Sequence, residues 1–222
     1  MSTSTRPADS PAVRARELSV QIDHLTLLAP TTFTLRPGAA LVVTGANGAG
    51  KTTLLRVLAG TRAPSAGEVH VLGDVPDERA PAFRARVAAL LDPPPLPRAL
   101  TLAEYLTLVA TSWGVPFDDA RTRSAELLDE LSLAPFSRRF PHELSSGEGR
   151  LYALAVVLAR PSSVLILDEP EQRLDAARRA RIADALERRS AAGTTLVLAS
   201  HSTELTERLG ESRLHLEGAR VD

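Results

Sequence analysis

The apolar residues of this chain fall into short, dense runs separated by polar and turn-forming stretches. AALVVT (39–44), SVLILD (163–168) and TTLVLAS (194–200) are consecutive apolar runs too short for helices. Such runs predict strands buried on both faces. PSAGEVHVLG (64–73) reads as a turn and a strand, and a last short strand lies near RLHLE. Glu17 to Phe33 reads as strand-like runs broken by APTT, and Pro37-Gly38 marks a turn. Helices are predicted in TLLRVLAG, closed by Gly60, and over about 172–191. Residues 101–148 read mainly as helices, TLAEYLTLVATSWG and then DDARTRSAELLDELSL, with Leu127, Leu128 and Leu131 on one face.

DPPPLPR (92–98) carries four prolines, which forbid a helix or a central strand. We place a boundary there. Strands alternate with helices on both sides of a helical insertion, the pattern of an α/β fold with a mostly parallel sheet. The expected organisation is a disordered tail over 1–16 and a single domain over 17–222. Its core is 17–91 and 151–222, and its helical subdomain is about 92–150. No internal repeat is visible.

Composition narrows the function. The 222 residues are 44% hydrophobic and 24% charged, as in an ordinary globular protein. The net charge of −1 provides no global basic field, so no nucleic-acid partner is expected. There is no cysteine, which excludes disulfides and thiolate metal sites and fits a reducing compartment. The longest apolar run, LYALAVVLA (151–159), is far short of the roughly 20 residues of a bilayer span. The N-terminal residues have no apolar core of a signal peptide. The chain is therefore expected in the cytoplasm, with any membrane role coming through a partner.

Of the 26 Lys and Arg residues, Lys51 is the only lysine. It lies in GANGAGKTT (45–53), after a predicted buried strand and at the start of a predicted helix. This spacing is that of a phosphate-binding loop. Gly45, Gly48 and Gly50 let backbone N–H groups wrap around phosphate oxygens, with Asn47 and Thr53 in the same loop. The helix N-terminus adds partial positive charge. Lys51 supplies a compact ammonium, which fits a tight ring of amides where a broad guanidinium does not. The Thr52 hydroxyl is a candidate Mg2+ ligand.

VLILDEP (164–170) sends an apolar strand into Asp168 and Glu169. In open α/β sheets ligands bind at the carboxyl ends of strands. Asp168 is the candidate to hold Mg2+ through water. Glu169 is the candidate general base for an attacking water.

LSSGE (Leu144 to Glu148) stands about 20 residues before LILDEP. Ser145 suits a helix cap, and Gly147 is expected to leave an amide open, forming a second anion site. With these motifs the chain, from about Glu17 onward, resembles the nucleotide-binding domains of ATP-binding cassette (ABC) transporters. The resemblance implies a P-loop NTPase fold with a RecA-like core, an N-terminal antiparallel β region and a helical subdomain. It implies ATP and Mg2+ as ligands, and a head-to-tail dimer with a second such protomer, identical or related. In that dimer Ser145 and Gly147 of one copy face the nucleotide on the Lys51 loop of the other. It further implies that His201 is a switch residue at the γ-phosphate and that Asp175 lies in the loop that communicates across the dimer.

The chain departs from the family pattern at several places. A Gln between core and helical subdomain is replaced by Asp92, which can bind Mg2+ through water but lacks an amide donor. The adenine-stacking aromatic is missing from Ile22 to Leu28, which offers only His24. Ser146 and Glu148 replace Gly and Gln of the signature, and Gln172-Arg173 replaces Ser-Ala before Leu174-Asp175. The catalytic set of Lys51, Thr52, Asp168, Glu169 and His201 is complete. The expected function is thus ATP hydrolysis powering transport through a separate integral membrane permease. The protein would sit on the inner face of the membrane through that permease, with export favoured by the short end after the last strand. The alternatives are a soluble ABC ATPase of an assembly machine and a poorly hydrolysing nucleotide-binding module.

Overall fold

The computed structural model describes residues 10–217. A three-stranded antiparallel sheet, in the order β2-β1-β4, is built from β1 (Val13–Ile22), β2 (Leu25–Leu35) and β4 (Ala66–Val71). A second sheet has five strands in the order β5-β6-β7-β3-β8. They are β3 (Ala40–Gly45), β5 (Val87–Leu90), β6 (Val164–Asp168), β7 (Thr195–Ala199) and β8 (Ser212–Leu216). All its pairings are parallel.

The parallel strands alternate between two buried faces. Ala40, Val42, Leu165, Leu167, Leu196 and Leu198 belong to one apolar cluster, which also holds Leu102, Leu128, Tyr152 and Leu186 from surrounding helices. Leu41, Val43, Val164, Ile166, Val197 and Ala199 belong to the other, shared with α1 (Lys51–Leu58) and the antiparallel sheet. This two-sided burial explains the uninterrupted apolar runs of these strands.

Between β5 and β6 the regular elements are helical. They are α3 (Leu102–Ser112), α4 (Phe117–Glu130), two 3₁₀ turns (Ala134–Phe136 and Pro141–Glu143) and α5 (Ser146–Leu158). Leu127, Leu128 and Leu131 are all buried, as their spacing suggests. Thr101 and Glu104 form a capping box that starts α3, directly after the proline-rich segment. The remaining helices are α2 (Pro81–Arg84), α6 (Ala176–Ala191) and α7 (Thr203–Leu209).

Several boundaries differ from the sequence reading. The strand region opens at Val13, so the tail expected over 1–16 ends sooner, and its residues 1–9 lie outside the described part. β2 continues through the APTT stretch that was expected to break it. β2 is an edge strand and its register with β1 shifts between Leu28 and Thr31, so Pro30 is tolerated where a central strand would reject it. The helix expected from 172 starts at Ala176, because Asp175 caps it. β5, a four-residue VAAL run, is recognisable only through its pairing with β6.

Candidate functional site

Three neighbouring strands of the parallel sheet, β6, β7 and β3, end at the same edge. Their C-terminal continuations carry Asp168 and Glu169, Ser200 and His201, and the 45–53 loop. The topology thus assembles groups that are more than a hundred residues apart in the chain.

The loop is shaped by glycines in left-handed conformations. Gly45 has φ 141° and Gly50 φ 97°. A Cβ at either would lie 2.5 Å from a backbone oxygen, Leu216 O and Leu27 O respectively. No other residue fits there without moving main chain. Asn47 and Gly48 form the exposed crest, and Thr53 is half-buried on α1. The N-terminus of α1 has no side-chain cap and no acid in its first turn, which leaves its N–H groups and partial positive charge to an anion. Lys51 is buried, and its Nζ donates to the carbonyls of Gly45 (2.9 Å) and Ala46 (3.2 Å). The loop's own oxygens thereby hold the ammonium beneath its amides.

Thr52 Oγ1 donates to Asp168 Oδ2 at 2.6 Å. Burial raises the Asp168 carboxyl above its usual range, and the Glu169 charge adds to this, while the Thr52 hydrogen bond pulls the other way. A hydroxyl and a carboxylate side by side are hard oxygen donors, suited to a Mg2+ ion that takes its remaining ligands from phosphate and water.

Glu169 is left-handed, with φ 45°. Its backbone N–H donates to Ala199 O at 2.9 Å. Its Oε1 lies 3.3 Å from His201 Nε2, and its Oε2 accepts from Gln172 Nε2 at 3.0 Å. Arg150 belongs to none of the expected motif roles. It reaches from α5 and donates through Nη2 to the carbonyls of both Asp168 (2.8 Å) and Glu169 (2.7 Å). Nothing in a spacing of 18 and 19 residues announces this contact.

Thr52, Asp92, Ser146, Arg150, Asp168 and Glu169 line one cavity of about 600 Å³, whereas His201 opens onto a neighbouring one that shares Glu169 and Gln172 with it. Asp92 reaches the rim of the first, but its carboxylate pairs with Arg56 at 3.2 Å and its side chain is 75% exposed. Arg56 answers for the acid that replaces the expected amide.

The second candidate anion site differs from its expectation in one respect. Ser145 does cap α5, and Glu148 completes a capping box by accepting from Ser145 N (2.8 Å) and Oγ (2.7 Å). The Ser145 side chain and then its backbone N–H hold the Glu148 carboxyl below its usual range. Gly147 was expected to leave an open amide, yet it is buried. Arg178 Nη1 lies 3.0 Å from where its Cβ would be, and Arg178 also pairs loosely with Glu148 at 3.9 Å. Asp175 caps α6 by accepting from Arg178 N at 2.8 Å, and it does not line the cavity.

A family model described as ABC transporter matches residues 28–172. An ABC transporter ATP-binding protein of Streptomyces coelicolor is 36% identical over 89% of this chain, which spans only 35% of that relative. The lipoprotein-releasing system ATP-binding protein LolD 1 of Rhodopirellula baltica is 32% identical, with 90% of each protein covered. Among solved structures, the ATP-binding cassette MJ0796, captured as a post-hydrolysis dimer with ADP and Pi, matches with a TM-score of 0.81. It is 21% identical and covers 94% of this chain and 97% of its own. At that identity the likeness speaks for the fold alone.

Proposed function

The chain belongs to the ABC transporter ATP-binding family, and from that premise we propose that it hydrolyses ATP to drive movement through a separate membrane permease. The observation that carries the reading is the junction of the buried Lys51 loop with Thr52, Asp168, Glu169 and His201 at the ends of three adjacent strands.

In this reading the loop amides and the N-terminus of α1 bind the phosphates, and Lys51 offers its ammonium to the terminal ones. Gly45 and Gly50 let the loop hold its shape against the main chain of Leu216 and Leu27. Mg2+, when bound, would neutralise charge developing on the phosphate oxygens. Thr52 and Asp168 would hold it, and Asp92 could reach it only after leaving Arg56. Glu169 takes the proton from the attacking water and His201 senses the terminal phosphate. Gln172 and Arg150 keep the Glu169 carboxylate and peptide in register. Preorganisation of this kind is where most of the rate would arise.

A single chain leaves the far side of the nucleotide open. The Ser145-capped tip of α5 and Asp175 in a second protomer would close it head to tail. Among the described residues no helix is long and apolar enough to cross a membrane. The pathway would therefore belong to the permease, which would hold this protein at the inner membrane face. Steady-state phosphate release is the test. Glu169→Gln should bind ATP but turn over at least about a hundredfold more slowly, in line with the usual contribution of a general base. A variant hydrolysing like the native protein would end the base assignment.

A further inference from the structure

Glu171 is a buried carboxyl that neither the motifs nor the hydrolysis reading uses. It is 7% exposed and follows Glu169 by two residues, on the segment that leaves β6. Its side chain crosses to the segment that leaves β7. There Oε1 accepts three hydrogen bonds, from Ser200 Oγ, His201 N (3.2 Å) and Ser202 N (3.3 Å). Ser200 is itself buried, and its Oγ also accepts from Ser202 N at 3.0 Å. Ser202 in turn caps α7 by accepting from Leu205 N. Three donors on the path from β7 to α7 thus converge on one oxygen, and Ser200 N is held separately by Val43 O at 3.3 Å.

His201 is the middle residue of that path, and its ring Nε2 lies 3.3 Å from Glu169 Oε1. Its side chain is 50% exposed, so packing alone does not fix it. The main-chain anchor beneath it does. A buried acceptor serving three donors is costly to remove, because each donor left unpaired loses its hydration and gains nothing. Glu171 Oε2 is buried with no hydrogen-bond partner among the described residues, so the carboxyl is sited for its Oε1 contacts.

We infer that Glu171 is a positioning residue: it sets the His201 ring against Glu169 and the terminal phosphate by holding residues 200–202. The inference rests on the hydrolysis reading of His201 given above. Glu171 couples the segment after the base to the segment after β7 through a buried side chain whose hydrogen bonds all go to residues 200–202.

The test is a double-mutant cycle on the full chain, read as phosphate release at saturating ATP and as ATP affinity. Glu171→Met preserves length and apolar packing but has no comparable acceptor. It should lower kcat about five- to tenfold with ATP affinity within about twofold, because the phosphate loop is untouched. Glu171→Gln offers an amide oxygen to the same three donors and should keep at least about half the rate. In a His201→Ala background, Glu171→Met should cost less than about twofold more, since a residue acting through His201 has nothing left to position. A full repeat of the loss in that background, or native kcat in Glu171→Met, overturns the inference. Should the methionine variant not fold, Ser200→Ala loosens the anchor from the donor side. It must then show at least about a threefold loss that vanishes with His201→Ala, or the inference falls. Native hydrolysis in His201→Ala would overturn the histidine's assignment and this inference with it. A clear loss there with additive Glu171 effects overturns the inference alone.

Discussion

Replacing Arg150 by methionine keeps the aliphatic stem and deletes the guanidinium that grips the Asp168 and Glu169 carbonyls. Two hydrogen bonds of 2.8 and 2.7 Å are lost. Charge-assisted bonds contribute about 1.5–3 kcal/mol each when buried, and the low end applies to this half-buried side chain. The gross loss is therefore about 3 kcal/mol. Arg150 Nε is buried without a partner among the described residues, and removing that donor returns about 1 kcal/mol. A net loss of about 2 kcal/mol predicts a melting temperature lower by about 4–8 °C for a domain of this size. The same figure bears on catalysis. Glu169 occupies a left-handed conformation that costs a non-glycine residue about 1–2 kcal/mol and persists only where its surroundings enforce it. If the clamp's 2 kcal/mol is what holds the Glu169 peptide, kcat falls about 30-fold without it. Arg150 does not touch the phosphate loop, so KM for ATP should stay within about threefold. Stopped-time phosphate release over a range of ATP concentrations, beside a thermal melt, measures both. A lowered melting temperature with native kcat would refute the reasoning, because the clamp would then be structural only. A raised KM with native kcat would refute it equally.

Three further outcomes are expected. Asp168→Asn removes a carboxyl whose folded pKa lies above the unfolded value of about 4. Between those values the native state retains a proton that the unfolded chain has released, so this group's contribution to stability is lost as pH rises through the folded pKa. Without nucleotide the variant should melt higher than the native protein at pH 7, and the gap should close on acidification below about pH 4; a lower melting temperature at pH 7 would contradict this. Gly50→Ala places a Cβ 2.5 Å from Leu27 O, a main-chain atom that cannot swing aside, so retention of labelled ATP on a filter should vanish, and native retention would count against the loop geometry. Asp92→Gln breaks an exposed pair with Arg56, so its melting temperature should stay within about 2 °C, while the Mg2+ concentration for half-maximal hydrolysis should move at least about twofold; an unmoved Mg2+ requirement would take Asp92 out of the metal site.

Much of this arrangement could be read from the chain, and the reasons are local. β3, β6 and β7 are buried on both faces, so their apolar runs stand out, and the groups that follow them lie at one edge whatever the detail of the helices. The Lys51 loop is written in consecutive residues. Contacts that bridge distant segments were not legible. Glu171 and Ser200 are 29 residues apart, Arg56 and Asp92 are 36, and nothing in their spacing announces a pair. Gly147 reads as an exposed position until Arg178, from another helix, is found packed beside its Cα. Pro30 reads as a strand breaker until β2 proves to be an edge. Glu148 reads as an intruding acid until Ser145 is found donating to it. For Glu171, Arg56 and Gly147 the missing fact was a partner supplied by tertiary packing; for Pro30 it was the strand's place in the sheet, and for Glu148 a local capping box.

The central claim is that the nucleotide is closed between two protomers, with the Lys51 loop of one against the Ser145 helix tip of the other. Sedimentation velocity of the Glu169→Gln variant, with and without Mg2+ and ATP, tests it most directly. The account predicts a monomer without nucleotide, a dimer with ATP, and a return to monomer when Ser145 is also replaced by arginine. A species of unchanged mass under all three conditions would contradict it.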